Sequence, residues 1–189
     1  KNIRHEKDTD KAKSMLDDAD SVPDDWTAEI IVPPDTKREN IGGSIANGIK
    51  AAGYDAKVTR LDWPKFVKQY NTGSADDYNM FVLGWSGAPD PDSFMYFLFA
   101  HDTIGTNNGT YYRNESMNQN IMEARQSTDQ EERKPRYMEA VTTVLEERVH
   151  LPSYTLKNSF GVRNRVGDWL AHPTAQFRIA SQANNVSLQ

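Results

Sequence analysis

The sequence predicts an α/β domain, a mostly parallel sheet flanked by helices, with extra helices and strands toward the C-terminus. Three observations predict it. β-Branched or apolar runs alternate with helical periodicity between Thr27 and Trp85. The connections are short, and a β-α-β-α-β order of that kind favours parallel strands joined by right-handed crossovers. The third run, Met80-Phe81-Val82-Leu83, is apolar without alternation, as in a strand covered on both faces.

A short helix is expected from Asp10 to Ala19, ended by the polar stretch from Asp20 to Asp25. Thr27 to Val32 reads as a strand, stopped by Pro33-Pro34. Asn40 can cap a helix whose Ile41, Ile45 and Ile49 fall four apart on one face, and Gly53 can close it in the left-handed conformation. A second strand, Ala56 to Leu61, follows. Asp62 then caps a helix in which Trp63, Phe66, Val67 and Tyr70 form a core-facing stripe, and Gly73 ends it.

Beyond Trp85 the pattern turns helical. Asp90-Pro91 opens a helix running through Phe94, Phe97 and Leu98, with proline in the first turn where no amide bond is lost. Ser116 and Gln119 form a capping-box pattern ahead of Ile121 and Met122. A longer helix is expected over Glu131 to Val149, with Tyr137, Val141, Val144, Leu145 and Arg148 along one face. Pro152 to Val162 and the tail around Trp169 and Phe177 read as extended.

The totals exclude several function classes. The 189 residues suit one domain and bury a core readily. Hydrophobic residues are 37% and aromatics 10%, as in a folded, well-solvated domain. With 22 basic and 27 acidic residues the net charge is −5, which gives no basis for a nucleic-acid partner. There is no cysteine, hence neither disulfides nor thiol chemistry. No run approaches the roughly 18 apolar residues of a membrane span, and Lys1 to Asp10 lacks the apolar core of a signal peptide. Three glycosylation triplets begin at Asn108, Asn114 and Asn185 and are compatible with an exterior location.

Ligands of open α/β sheets bind beyond the carboxyl ends of the strands. The strand ending at Leu83 delivers Gly84-Trp85-Ser86-Gly87-Ala88-Pro89-Asp90 to that place. Two glycines permit close backbone approach, Trp85 offers a flat apolar surface with one N–H donor, and a helix N-terminus follows. The structural alternative is a core Trp85 with glycines that only shape a turn. Asp90 and Asp92 could be read as an acid/base pair, but Asp-Pro-Asp at a helix start is explained by capping, and no second carboxylate is singled out for glycosidase chemistry. His5, His101, His150 and His172 share no metal-ligand spacing. The acidic run of Asp17, Asp18, Asp20, Asp24 and Asp25 lacks the glycine turn and terminal Glu of a calcium loop. No phosphate-loop, nucleophile-elbow or dinucleotide motif occurs, so neither enzyme activity, cofactor nor metal is expected.

Several short pieces, taken in order, resemble one family. They are Asp10-Lys11-Ala12-Lys13 with Met15-Leu16, Leu61-Asp62-Trp63, Tyr78-Asn79-Met80 and Leu83-Gly84-Trp85. Asp90-Pro91-Asp92-Ser93-Phe94, Tyr112 to Asn114, Leu151-Pro152-Ser153-Tyr154 and Val166-Gly167-Asp168-Trp169 follow. Together they resemble the C-terminal part of the peptide/nickel-type (oligopeptide- and dipeptide-binding) solute-binding proteins of ABC importers. The resemblance implies a type II periplasmic-binding-protein lobe, one of two that close on a solute at a hinge. It implies that residues 1–189 are one lobe of a longer protein, with core 27–170 and segments 1–26 and 171–189 flanking it near the hinge. It further implies a monomer, extracellular or periplasmic and membrane-anchored at full length, that takes a peptide or other small polar solute and delivers it to a membrane ABC permease. Gly84, Trp85, Ser86, Gly87, Ala88, Asp90 and Tyr112 are the ligand-binding candidates.

The chain departs from that family at two positions. The Asp that holds a peptide's ammonium in the oligopeptide and dipeptide binders aligns without a gap with Ala88, and Asp90 replaces it only if the gap falls earlier. An Arg that helps bind carboxylates in the oligopeptide binder aligns with Val82. An unpartnered buried ammonium costs on the order of several kcal/mol, so a short peptide held in the family's standard way is not expected. A longer peptide held by its backbone, a sugar or another polar solute stays open. Two other readings are an effector-sensing domain of a transcription regulator with the same fold, and a hydrolase working through Asp90 and another carboxylate.

Overall fold

The computed structural model describes residues 3, 5–20, 22–23, 25–73, 77–157, 159–171 and 186–188. Helix α1 (Thr9–Asp17) precedes strand β1 (Thr27–Val32), helix α2 (Thr36–Ala51), strand β2 (Asp55–Arg60), helix α3 (Trp63–Thr72) and strand β3 (Met80–Phe81). The three strands form one parallel sheet in the order β2-β1-β3, with Thr27 opposite Asp55 and Ile30 opposite Met80. The predicted parallel β-α-β-α-β unit is therefore present.

Alternation along β1 divides the core. Ala28, Ile30 and Val32 pack with Ala46, Ala56 and Val82 on the α2 face, with Ile41, Ile45 and Ile49 beside them. Ile31 faces the other way, into Leu61, Phe66, Tyr70 and Tyr78 on the α3 face. β1 is buried on both sides because a helix covers each face of the sheet.

A second layer is helical. α4 (Asp92–Phe99), a 3₁₀ turn (His101–Thr103), α5 (Glu115–Gln126) and α6 (Gln130–Glu146) enclose Met95, Phe99, Met117, Ile121, Ala124, Tyr137, Ala140 and Val144. The described residues of 152–162, read from the sequence as extended, carry no regular element. Strand β4 (Val166–Gly167) pairs antiparallel with β5 (Ser187–Leu188), while Phe177 and His172 lie outside the described residues.

Helix ends differ from expectation where a better cap lies nearby. α2 starts at Thr36, not after Asn40, because the Asp35 side chain accepts the Arg38 N–H at 2.9 Å. α1 is capped by Asp8 and ends at Asp17. α5 is capped by Asn114, which accepts the Met117 N–H at 2.9 Å, so Ser116 lies inside the first turn. Gln119 has no capping role and binds Glu123 instead. α6 is capped by Asp129 and stops at Glu146, where Val149 N–H returns to the Val144 carbonyl and Arg148 takes φ 55°. Asp62 caps α3 and Gly53 adopts φ 95°, both as expected. Gly73 ends α3 in an extended conformation, and a Cβ there would lie 2.3 Å from the Gln69 carbonyl oxygen.

Candidate functional site

β3 is shorter than its apolar run. Only Met80 and Phe81 are laddered to β1, with Val82 N–H reaching the Ile31 carbonyl at 3.2 Å. The chain then leaves the sheet as an extended loop at the carboxyl end of the strands. None of the peptide N–H groups of residues 83–88 donates to a protein acceptor among the described residues. Beside this open backbone lies a cleft of about 320 Å³ lined by Trp85, Ser86, Gly87, Ala88, Ser93, Phe97 and Asn107.

Trp85 is not core: it is 36% exposed. Its indole N–H donates to the Ser93 carbonyl at 2.8 Å, and its ring lies 6.3 Å from that of Phe97 at 34°. The bond fixes the indole while leaving ring surface free, which makes a rigid apolar wall. Gly87 is required by the same contact, since a Cβ there would stand 2.6 Å from the Ser93 Cβ. Asn107 is positioned from the far side: Tyr70 donates its hydroxyl to the Asn107 carbonyl, and Tyr78 donates to the Gly109 carbonyl at 2.6 Å.

Four sequence candidates, Trp85, Ser86, Gly87 and Ala88, thus meet in one wall. Gly84 stands behind them against Arg38, whose Nη2 would be 3.0 Å from a Cβ at that position. The structure does not bring Asp90 and Tyr112 into this wall. Arg133 donates to both Asp90 oxygens, at 2.9 and 2.7 Å, and the Asp92 N–H adds a third bond at 2.8 Å. The Arg133 guanidinium beside Asp90 holds its carboxyl below the usual carboxylate range. Tyr112 packs against the helical layer and donates its hydroxyl to Glu147. Asp92 accepts from Tyr137 at 3.1 Å and pairs with Arg125 at 3.4 Å, so both acids of Asp-Pro-Asp tie α4 to α5 and α6.

Ser93, Phe97 and Asn107 were not singled out in the sequence. Phe97 lies in the expected helix but is 39% exposed, and its four-residue spacing from Ser93 is the signal that could have placed both at one wall. A larger hollow of about 440 Å³, lined by Asp25, Trp26, Lys50, Gly53, Tyr54 and Asp55, sits at the amino ends of β1 and β2. The carboxyl ends are where ligands of such sheets bind.

The family model "Bacterial extracellular solute-binding proteins, family 5 Middle" matches residues 1–106. The chain belongs to this family. Within it, a "Di/tripeptide-binding protein 1" of Pseudomonas aeruginosa is 24% identical over 125 residues, covering 66% of this chain and 22% of that protein. The "Oligopeptide-binding protein AppA" of Bacillus subtilis is 22% identical over 136 residues, or 72% and 25% of the two chains. The chain therefore spans about a quarter of the length of these relatives. Among solved structures, HbpA2 from Haemophilus parasuis superposes with TM-score 0.72 at 24% identity over 95% of this chain and 35% of its own. The periplasmic binding protein DppA from Helicobacter pylori, in complex with peptide STSA, gives 0.64 at 25% identity over 74% and 27%. The fold is that of type II periplasmic binding proteins, as the resemblance implied.

Proposed function

We propose that this chain is one lobe of a two-lobe binding protein that holds a peptide or similar small polar solute in the cleft between lobes and presents it to a membrane ABC importer. The observation that carries the reading is the open backbone of residues 83–88 beside the Trp85–Phe97 wall. An extended peptide can pair with such unladdered N–H groups as an added strand, while its side chains meet the apolar rings. The relatives of the family with peptide-binding names support the same ligand class.

In this reading residues 27–170 form the lobe core, and 1–26 and 171–189 approach the hinge. The full-length protein is a monomer, works outside the cytoplasm and is anchored to the membrane. It releases the solute unchanged. Ser86, Gly87 and Ala88 offer backbone, Trp85 offers surface, and Asp90 holds the loop to α6 through Arg133 rather than meeting solute directly.

Native mass spectrometry on the gently purified full-length protein tests this. A discrete extra mass released on denaturation, and reduced in Trp85→Ala, supports the reading. An adduct unchanged by Trp85→Ala removes this cleft from it, and turnover of a peptide or glycoside panel replaces it with an enzyme.

A further inference from the structure

Trp85 is posed by a line of bonds that starts outside the cleft. Its indole N–H donates to the Ser93 carbonyl at 2.8 Å, and the Ser93 N–H donates to the Asp90 carbonyl at 3.1 Å. The Asp90 N–H turns back to the Ala88 carbonyl at 2.7 Å. Both Asp90 carboxylate oxygens are taken by Arg133, whose side chain is 12% exposed and whose Nε donates to the Ala124 carbonyl at 3.2 Å. Arg133 is absent from the cleft lining. At its other end the loop has little hold. The Val82 N–H bond to the Ile31 carbonyl is its last backbone bond to the sheet among the described residues.

The helical layer does not need this line in order to fold. Met95 and Phe99 of α4 pack among Met117, Ile121 and Val144 in an apolar core of their own. Asp92 keeps separate partners in Tyr137 and Arg125. The Asp90 end of the pair is 38% exposed, and ion pairs open to solvent add little to overall stability. What the pair fixes is place: it holds the loop against α6 at the point from which Ser93 reaches Trp85. Loss of the Arg133 side chain therefore frees the loop while its support stays folded.

We infer that Arg133 is a positioning residue for solute binding: acting through Asp90 and Ser93, it sets the pose of Trp85 from outside the cleft. The inference rests on the solute-binding reading above and adds to it the second helical layer as the part that prepares the wall. A wall that holds its binding pose about a tenth of the time binds about tenfold more weakly. Lysine offers a single point charge in place of a planar fork, so Arg133→Lys keeps part of the hold and Arg133→Gln loses it.

The test labels the full-length protein with a fluorinated tryptophan and assigns the Trp85 fluorine resonance by its loss in Trp85→Phe. Arg133→Gln is expected to shift or broaden that resonance while those of the other tryptophans stay in place, and Arg133→Lys gives an intermediate signal. A Trp85 resonance unchanged in Arg133→Gln, or movement of every tryptophan resonance together, overturns the inference and leaves the solute-binding reading standing. In parallel, retention of a mixture of random pentapeptides is quantified by mass spectrometry. Retention is expected to fall about tenfold in Arg133→Gln, with no further loss when the same change is made in Trp85→Ala. Additive losses, or unchanged retention in Arg133→Gln, overturn the inference. Wild type that retains no peptide overturns the peptide reading, and the inference with it.

Discussion

Arg133 of α6 grips Asp90 with both ends of its guanidinium, at 2.9 and 2.7 Å, across 43 positions of sequence. The same side chain donates from Nε to the Ala124 carbonyl at 3.2 Å, so it also joins the end of α5 to the start of α6. One arginine thereby ties the loop that carries Trp85 to two helices of the second layer.

That grip makes stability depend on pH. Arg133 keeps the Asp90 carboxyl below its ordinary range, so its folded value lies below its unfolded one. The stabilisation is fully present above the unfolded value of about 3.9 and is lost as pH falls through the folded value. Urea unfolding from acid to neutral pH should show Asp90→Asn less stable near neutrality, with a shallower decline below about pH 4 than wild type.

Gly87→Ala should disturb the cleft itself. The added Cβ meets the Ser93 Cβ at 2.6 Å, and Ser93 supplies the carbonyl that holds the Trp85 indole. Overpacking of this kind costs about 1–3 kcal/mol. Loss of the wall geometry should weaken solute binding by about tenfold, equivalent to about 1.4 kcal/mol. Tryptophan fluorescence titration and thermal unfolding read the two effects separately. Gly43→Ala is the control, since nothing lies within 4 Å of a Cβ there.

Tyrosine hydroxyls fix the loop that carries Asn107. Tyr78 is buried and donates to the Gly109 carbonyl at 2.6 Å, while the Tyr70 carbonyl lies 3.2 Å from the same hydroxyl. Tyr111 adds a bond to the Asn71 carbonyl at 2.5 Å. Tyr78→Phe should cost about 0.5–1.5 kcal/mol, the net value of one such bond, and should speed hydrogen exchange across residues 104–111. Burial also pushes the Tyr78 phenol up. Spectrophotometric titration should show one tyrosine titrating later in wild type than in any population present in Tyr78→Phe.

Local pattern is enough to specify the parallel unit. Period-four isoleucines after Asp35, Phe66, Val67 and Tyr70 of the α3 stripe and the unalternated run at Met80 dictate which faces are buried, because solvent exclusion acts on local pattern. Trp63, expected in that stripe, is 51% exposed because it stands at the first position of α3, outside the cluster. Local pattern also located the loop at Gly84–Ala88, where the apolar run gives way to Gly-Trp-Ser-Gly. Helix starts were less legible. Asp35 and Asn40, or Asn114 and Ser116, are both competent caps, and the backbone approach to each helix decides between them.

Tertiary structure alone decided the charges and the occupants of the cleft wall. Nothing local distinguishes Arg133 from Arg136 or Lys134 as the partner of Asp90, because the pairing depends on how α6 rotates against α4. Nor does any spacing place Arg38 over Gly84, or turn Phe97 outward toward Trp85. Hydrophobic periodicity reports how much of a residue is buried, whereas a binding site depends on which distant groups share a few ångströms of space. That proximity exists only once the sheet, its two covering helices and the second helical layer have closed on one another.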